Sequence, residues 1–234
     1  VGGRFIFFGA TLGNPSAGLE MAKMLSKENE VFIASRSNEN LSNIDATHIP
    51  FDALNEDIND KAIPETLDGF VYCPGSINLK PFKTMGIDTI QNDMEINFIA
   101  LARTVKSIIN RMNEGSSMVF FSTVAVGTGM PFHTSVSAAK GAIEGFARAL
   151  AAEYAPKIRV NVIAPSLVDT PLSERLLSND KKKEMMSERH PMKRVGNAAD
   201  IANMATFLLS SDNSWITGQV IGVDGGMSSL NVNS

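Results

Sequence analysis

The residues whose types and spacing suit chemistry fall into a few groups. An apolar run, Phe5-Ile6-Phe7-Phe8, ends in Gly9-Ala10-Thr11-Leu12-Gly13-Asn14-Pro15. Glycines after a buried strand let a ligand approach the backbone, and a helix opening at Asn14-Pro15 would turn its first N–H groups toward an anion. A dinucleotide pyrophosphate suits such a loop, with Gly9, Thr11, Gly13 and Asn14 as contacts; similar loops also join strands to helices where no ligand binds. Ser122 and Thr123 follow another apolar run, and each hydroxyl can hydrogen-bond a substrate oxygen or a nearby backbone group. His133 can give or take a proton near neutrality, and also reads as a surface or capping residue. Cys73 is the only cysteine and His48, His133 and His190 are scattered, so neither an internal disulfide nor a metal site is expected.

These groups need a scaffold to bring them together. With 234 residues, 44% hydrophobic and 20% charged, the chain can fill a sizeable core, and its length favours a single domain spanning 1–234. A net charge of −4 creates no field for a phosphate polymer or an anionic bilayer, so neither nucleic acid nor membrane is expected as a partner. No apolar run approaches the ~18 residues of a membrane span, and the first residues read as a strand rather than a signal peptide, so a cytoplasmic location is expected. Short β-prone runs at 5–8, 31–34, 47–51, 70–72, 118–121, 159–163 and 220–223 alternate with helical stretches, the clearest at about 89–112 and 137–153. Leu19, Ala22, Met24 and Leu25 supply the apolar face of the first helix. This order predicts an α/β fold: one Rossmann-type, doubly wound parallel sheet of about seven strands, helices on both faces, substrate loops at the carboxyl ends of the strands. Lys181-Lys182-Lys183 reads as the solvated face of a short helix.

Further motifs follow in order. Asp52 comes just after the third run, Tyr72-Cys73-Pro74-Gly75 after the fourth, and Asn97 in the long helical stretch. Ser122-Thr123, Lys140, Arg159-Val160-Asn161-Val162-Ile163-Ala164-Pro165-Ser166 and Asp224-Gly225-Gly226 complete the set. Over essentially the whole chain, this ordered set resembles the short-chain dehydrogenase/reductase family. The resemblance implies that Asp52 contacts an adenine ring, that Gly75 lies in the counterpart of Asn-Asn-Ala-Gly, and that Asn97 is the tetrad asparagine. It implies that Lys140 holds the nicotinamide ribose, that Pro165, Val168 and Thr170 also contact cofactor, and that the protein is a homo-oligomer, a tetramer or dimer built on the long helices. Two departures stand out. Pro15 occupies the third-glycine place of Gly-x-x-x-Gly-x-Gly, with Gly18 positioned to take over, and the family's Ser, Tyr, Lys spacing reads Thr123, Val136, Lys140. The chain is thus read as a variant without the active-site tyrosine. Valine has no proton to give, Tyr72 and Tyr154 are not obvious replacements, and His133 or water is expected to take over.

At the end of the second strand the chain reads Ala34-Ser35-Arg36-Ser37. Arg36 can pair with a 2′-phosphate and the serines can donate to it, so NADP(H) is expected to be preferred, with NAD(H) possible. Met130, Phe132, Leu167, Leu172, Leu176, Leu177, Met185 and Met186 gather in the loops expected over the substrate, either for an apolar ligand or as lid packing. The expected function is NADP(H)-dependent oxidoreduction of a small-molecule carbonyl or alcohol with non-standard proton delivery. A catalytically silent NADP(H)-binding sensor or assembly protein is the alternative.

Overall fold

The computed structural model describes residues 2–9, 16–58 and 63–231. The seven runs form β1 (Arg4–Phe8), β2 (Glu30–Ser35), β3 (Thr47–Pro50), β4 (Leu67–Tyr72), β5 (Met112–Phe121), β6 (Ile158–Pro165) and β7 (Val220–Val223). Their order is β3-β2-β1-β4-β5-β6-β7, and every neighbouring pair is parallel. Parallel neighbours require crossovers; those from β1 to β2, β4 to β5, β5 to β6 and β6 to β7 carry helices, α1 (Ala17–Leu25), α2 (Ile87–Met94), α3 (Ala100–Ile108), α4 (Thr134–Tyr154), α5 (Asp180–Glu188) and α6 (Ala198–Leu209), whereas the described residues of the links to and from β3 are turns and loops.

Alternation along β1 builds two cores. Phe5 and Phe7 pack with Leu19, Met21 and Ala22 of α1 and with Ala202, Ala205 and Leu208 of α6. Ile6 and Phe8 face the opposite way, into a cluster with Phe70, Leu101, Val105, Phe120 and Ile143. Phe8 meets Phe51 and Phe70 edge-on, with ring centroids 5.3 and 5.5 Å apart, and Phe70 meets Phe120 at 6.0 Å. Each such pair contributes about 1 kcal/mol beyond its buried area, and together they lock the strand ends that carry the site. No helix among the described residues is long and apolar enough to cross a membrane.

The structure corrects several boundaries. The first helix, expected from Asn14-Pro15, begins at Ala17, with Ser16 Oγ accepting the Leu19 N–H at 3.2 Å; Asn14 and Pro15 lie outside the described residues. The stretch expected as one helix over 89–112 is α2, a π-helical turn (Glu95–Ile99), α3 and a 3-10 turn, and Met112 already belongs to β5. Met112 pairs with Leu67 and pairing resumes at Gly69 with Ser117, so the intervening residues bulge, with Gly115 at φ +83°. Asn113-Glu114-Gly115-Ser116 is polar and carries no strand pattern. Helix α6 has no counterpart among the expected elements. It opens with a reciprocal cap, Asp200 N–H to Asn197 Oδ1 at 3.0 Å and Asn197 N–H to Asp200 Oδ2 at 2.8 Å.

The Arg159-Val160-Asn161 motif is a strut. Val160 is buried, while Arg159 donates to the carbonyls of Leu208, Ser210 and Ile216 at 2.9, 3.0 and 3.3 Å. A cation thereby closes the negative carboxyl end of α6. Asn161 Nδ2 adds a bond to Ile216 O at 2.9 Å.

Candidate active site

The carboxyl ends of β1, β4, β5 and β6 open into one cleft of about 530 Å³. It lies where the strand order reverses, between β1 and β4, which is where open parallel sheets leave a crevice. Gly9 follows β1 at φ +69°, and its N–H donates to Ala34 O at 2.8 Å. A Cβ there would sit 2.6 Å from Pro74 Cγ, so a side chain would force these two strand ends apart. At Gly75 a Cβ would lie 3.0 Å from Asn97 Oδ1 and 3.3 Å from Lys140 Nζ. Ser16, Ala17 and Gly18, at the start of α1, also line the cleft. The expected contacts Thr11, Gly13 and Asn14 lie outside the described residues.

The floor of the cleft is polar. Lys140 on α4 donates from Nζ to Phe121 O at 3.0 Å. Burial pushes its ammonium down to about 8, against the opposing pull of Cys73 and Asp93. Burial also pushes the Cys73 thiol up to about 12, with Lys140 working the other way. Asn97, fully buried in the π-helical turn, donates from Nδ2 to Asp93 O at 2.8 Å and to Ser76 Oγ at 3.1 Å, and its Oδ1 accepts the Ser76 N–H at 3.3 Å. Asp93 is also fully buried. Its carboxylate accepts from Ser76 Oγ and Ser135 Oγ, each at 2.5 Å, and from Asn78 Nδ2 at 2.7 Å.

The two hydroxyls after β5 differ. Ser122, an expected substrate contact, donates to Glu144 Oε1 on α4 at 2.6 Å, which takes up its proton. Thr123 Oγ1 accepts the Ala125 N–H at 3.3 Å, leaving its own proton without an acceptor among the described residues. Val136 lines the cleft one helical turn before Lys140. His133 stands at the N-cap of α4 and also lines the cleft, with Nδ1 2.7 Å from Pro131 O. Neither tyrosine is among the lining residues: Tyr72 donates its hydroxyl to Ile96 O at 3.0 Å, and Tyr154 packs on the core. Burial raises the Tyr72 phenol well above its ordinary value.

Pro165, Val168 and Thr170 line the cleft beyond β6, steadied by pairing of Val168–Asp169 with Gly196–Asn197. Met130, Phe132, Leu167, Leu172, Leu176 and Met186 form an apolar wall, whereas Leu177 and Met185 are not among the lining residues. Met185 points to solvent instead. Ser35, Arg36 and Asp52 stand apart at the ends of β2 and β3. Arg36 is exposed, while Ser35 is buried and donates to Ser37 O at 2.8 Å, with His48 Nε2 3.1 Å from its Oγ. The Ser35 hydroxyl is therefore not presented to a phosphate as the sequence suggested, because β3 lays His48 over it. Hydrogen bonds from Leu54 N–H and Asn55, with the Arg36 charge beyond, hold the Asp52 carboxyl below its usual range.

A family model described as enoyl-(acyl carrier protein) reductase matches residues 20–228. The chain belongs to the short-chain dehydrogenase/reductase family. Dehydrogenase/reductase SDR family member 4 of Homo sapiens is 36% identical over 136 residues, 57% of this chain and 49% of that protein, so the match spans about half of that relative's length. The inactive 2-(S)-hydroxypropyl-CoM dehydrogenase 2 of Xanthobacter autotrophicus is 34% identical over 171 residues, 70% of this chain and 74% of that one. Among solved structures, ligand-free aldohexose dehydrogenase of Thermoplasma acidophilum has a TM-score of 0.87 at 25% identity, covering 100% of this chain and 96% of that chain.

In this short-chain dehydrogenase/reductase, sequence reasoning missed Asp93, Ser135 and Glu144. Asp93 and Asn97 are four residues apart on one helical stretch, a spacing that places both on one face and was the available signal. Nothing local marks Ser135 or Glu144, whose partners come from distant strands and helices.

Proposed function

We propose that this chain is an NADP(H)-dependent oxidoreductase acting on an apolar carbonyl or alcohol, a single Rossmann-type domain over 1–234 whose proton delivery bypasses the tyrosine usual in its family. The observation that carries the reading is Lys140, a half-buried lysine at the floor of the cleft beside Gly75 and Asn97. The residues present fit a dinucleotide: Gly9 and Gly75 leave backbone surface where a Cβ would collide, the start of α1 faces the cleft, and Arg36 stands exposed past β2. When bound, the nicotinamide supplies or accepts hydride. In this reading Lys140 donates to ribose hydroxyls, Thr123 donates its unclaimed proton to the substrate oxygen, and Asn97 holds the loop at Gly75 and Ser76 in place. Met130, Phe132, Leu172, Leu176 and Met186 exclude water and favour an apolar substrate body. An imidazole, His133 by sequence, or water carries the proton. Ile87, Ile99 and Trp215 expose apolar side chains, in keeping with assembly as a homo-oligomer, and a cytoplasmic setting suits a chain with this cofactor.

Arg36 makes the cofactor reading testable. NADPH is expected to bind at least about tenfold more tightly than NADH, a difference of roughly 1.4 kcal/mol, and Arg36→Asp is expected to reverse the order. Equal affinities in a fluorescence titration of the wild-type protein would defeat the assignment.

Val136 favours a second reading, a catalytically silent NADP(H) binder acting as a sensor or assembly partner, and a relative whose name marks it inactive agrees with it. Val136→Tyr separates the two. A phenol one turn before Lys140 is expected to raise NADPH-dependent reduction of small activated aldehydes by about tenfold or more. A Val136→Tyr protein that binds NADPH and reduces nothing would favour the silent binder.

A further inference from the structure

We propose that Ser166 and His190 are the acid–base pair of this cleft. The inference rests on the oxidoreductase reading above and names the side chains that move its proton. Ser166 follows Pro165 at the end of β6. His190 lies just past α5, only 4% exposed, and both residues line the cleft. Ser166 Oγ and His190 Nε2 are 2.9 Å apart. The other ring nitrogen, Nδ1, is 2.8 Å from Met186 O.

That second contact decides which nitrogen works. A carbonyl oxygen only accepts, so Nδ1 keeps its hydrogen in both ring states and Nε2 is the atom whose proton comes and goes. With the ring neutral, Ser166 Oγ–H donates to Nε2, the geometry of a hydroxyl backed by an oriented base. The ring is held firmly. The Lys193 N–H donates to His190 O at 2.8 Å and the Met192 N–H to Gly225 O at 3.2 Å, tying the segment to the turn after β7. A Cβ at Gly225 would come within 3.8 Å of His190 Cβ, so that turn packs against the base of the histidine side chain. His133 has no comparable relay: its Nδ1 is held by Pro131 O in an exposed setting, and its Nε2 has no hydroxyl partner among the described residues.

In alcohol oxidation, the substrate O–H proton passes to Ser166 Oγ as the serine's own proton passes to His190 Nε2. The carbinol hydride leaves for the oxidised nicotinamide of the proposed function, giving a carbonyl and an imidazolium. Carbonyl reduction runs the same transfers backwards, so serine ends each cycle unchanged.

Two measurements test the pair. In protein carrying ¹⁵N-labelled histidine, with only three rings to assign, the neutral His190 ring is expected to be protonated at Nδ1, and Ser166→Ala is expected to shift its Nε2 resonance. A neutral His190 protonated at Nε2 overturns the proposal without any assay of turnover. With NADPH and a panel of aliphatic and aromatic aldehydes, His190→Gln and Ser166→Ala are expected to lower kcat by about 10²- to 10⁴-fold while NADPH affinity holds, and Ser166→Thr to recover most of the loss. A His190→Gln enzyme within about threefold of wild type, or the whole loss appearing in His133→Ala instead, overturns the pair and leaves the oxidoreductase reading standing. Wild-type protein that fails to bind NADPH, or binds it and reduces none of the panel, overturns that reading and the pair with it.

Discussion

Lys140→Met is expected to yield a protein more stable than wild type at pH 7 and nearly inactive. Burial holds the Lys140 ammonium at about 8 in the folded chain, whereas an unfolded lysine titrates near its ordinary value of 10.5. The folded state therefore binds the proton less tightly than the unfolded state, and the buried charge costs stability at every pH below about 8. The cost fades as pH rises from about 8 toward 10.5, where the unfolded chain also loses the proton. Methionine fills similar volume with no charge and gives up the bond to Phe121 O, so its net gain at pH 7 is expected to be about 2 kcal/mol. In chemical denaturation from pH 7 to 10, the gap between the two proteins should close. A gap that does not change with pH would show that Lys140 is not held charged against its burial. On the proposed function, NADPH binding is expected to weaken about tenfold and turnover to fall at least about 100-fold, because the ammonium proposed to donate to the ribose is gone.

The second large effect is expected at Asp93. Its carboxylate accepts from Ser76, Asn78 and Ser135, which belong to the loop after β4 and the first turn of α4, and Asp93 itself stands on α2. Asp93→Ala removes the carboxylate that accepts from all three of these donors. The loss is expected to reach about 3–5 kcal/mol, or a Tm lower by about 10 °C for a chain of this size. Asp93→Asn keeps one acceptor oxygen, and serine hydroxyls can turn to accept from its amide, so a loss of about 1–2 kcal/mol is expected. Equal Tm values for Asp93→Ala and wild type in a thermal melt would show that this network does not join the three elements. Since Asn97 shares Ser76 with Asp93, the alanine variant should also loosen the backbone at Gly75, which Asn97 and Lys140 approach.

The parallel sheet was legible in the chain because each strand is a short apolar run between polar turns, and Phe5 to Phe8 alternate between two cores as a period of two demands. The motif spacing likewise placed Gly9, Gly75, Thr123, His133, Lys140 and Pro165, all of which line one cleft. Local pattern failed where local sequence was silent. The bulge at Gly115 hides half of β5 in a polar segment, and Ser16 rather than Asn14 caps α1. The proton-bearing and charge-holding pairs were out of reach for a different reason. Ser122 reaches Glu144 across 22 positions, Ser166 meets His190 across 24 and Ser135 meets Asp93 across 42. Each pairing exists only after crossovers have stacked helices against strand ends, and hydrogen bonds depend on tenths of an ångström and on angle. The sequence alone therefore determined which strands form and which residues gather at their carboxyl ends. Only tertiary structure decided which hydroxyl keeps a free proton and which imidazole stands behind a serine, because those outcomes turn on contacts between segments that no periodicity along the chain encodes.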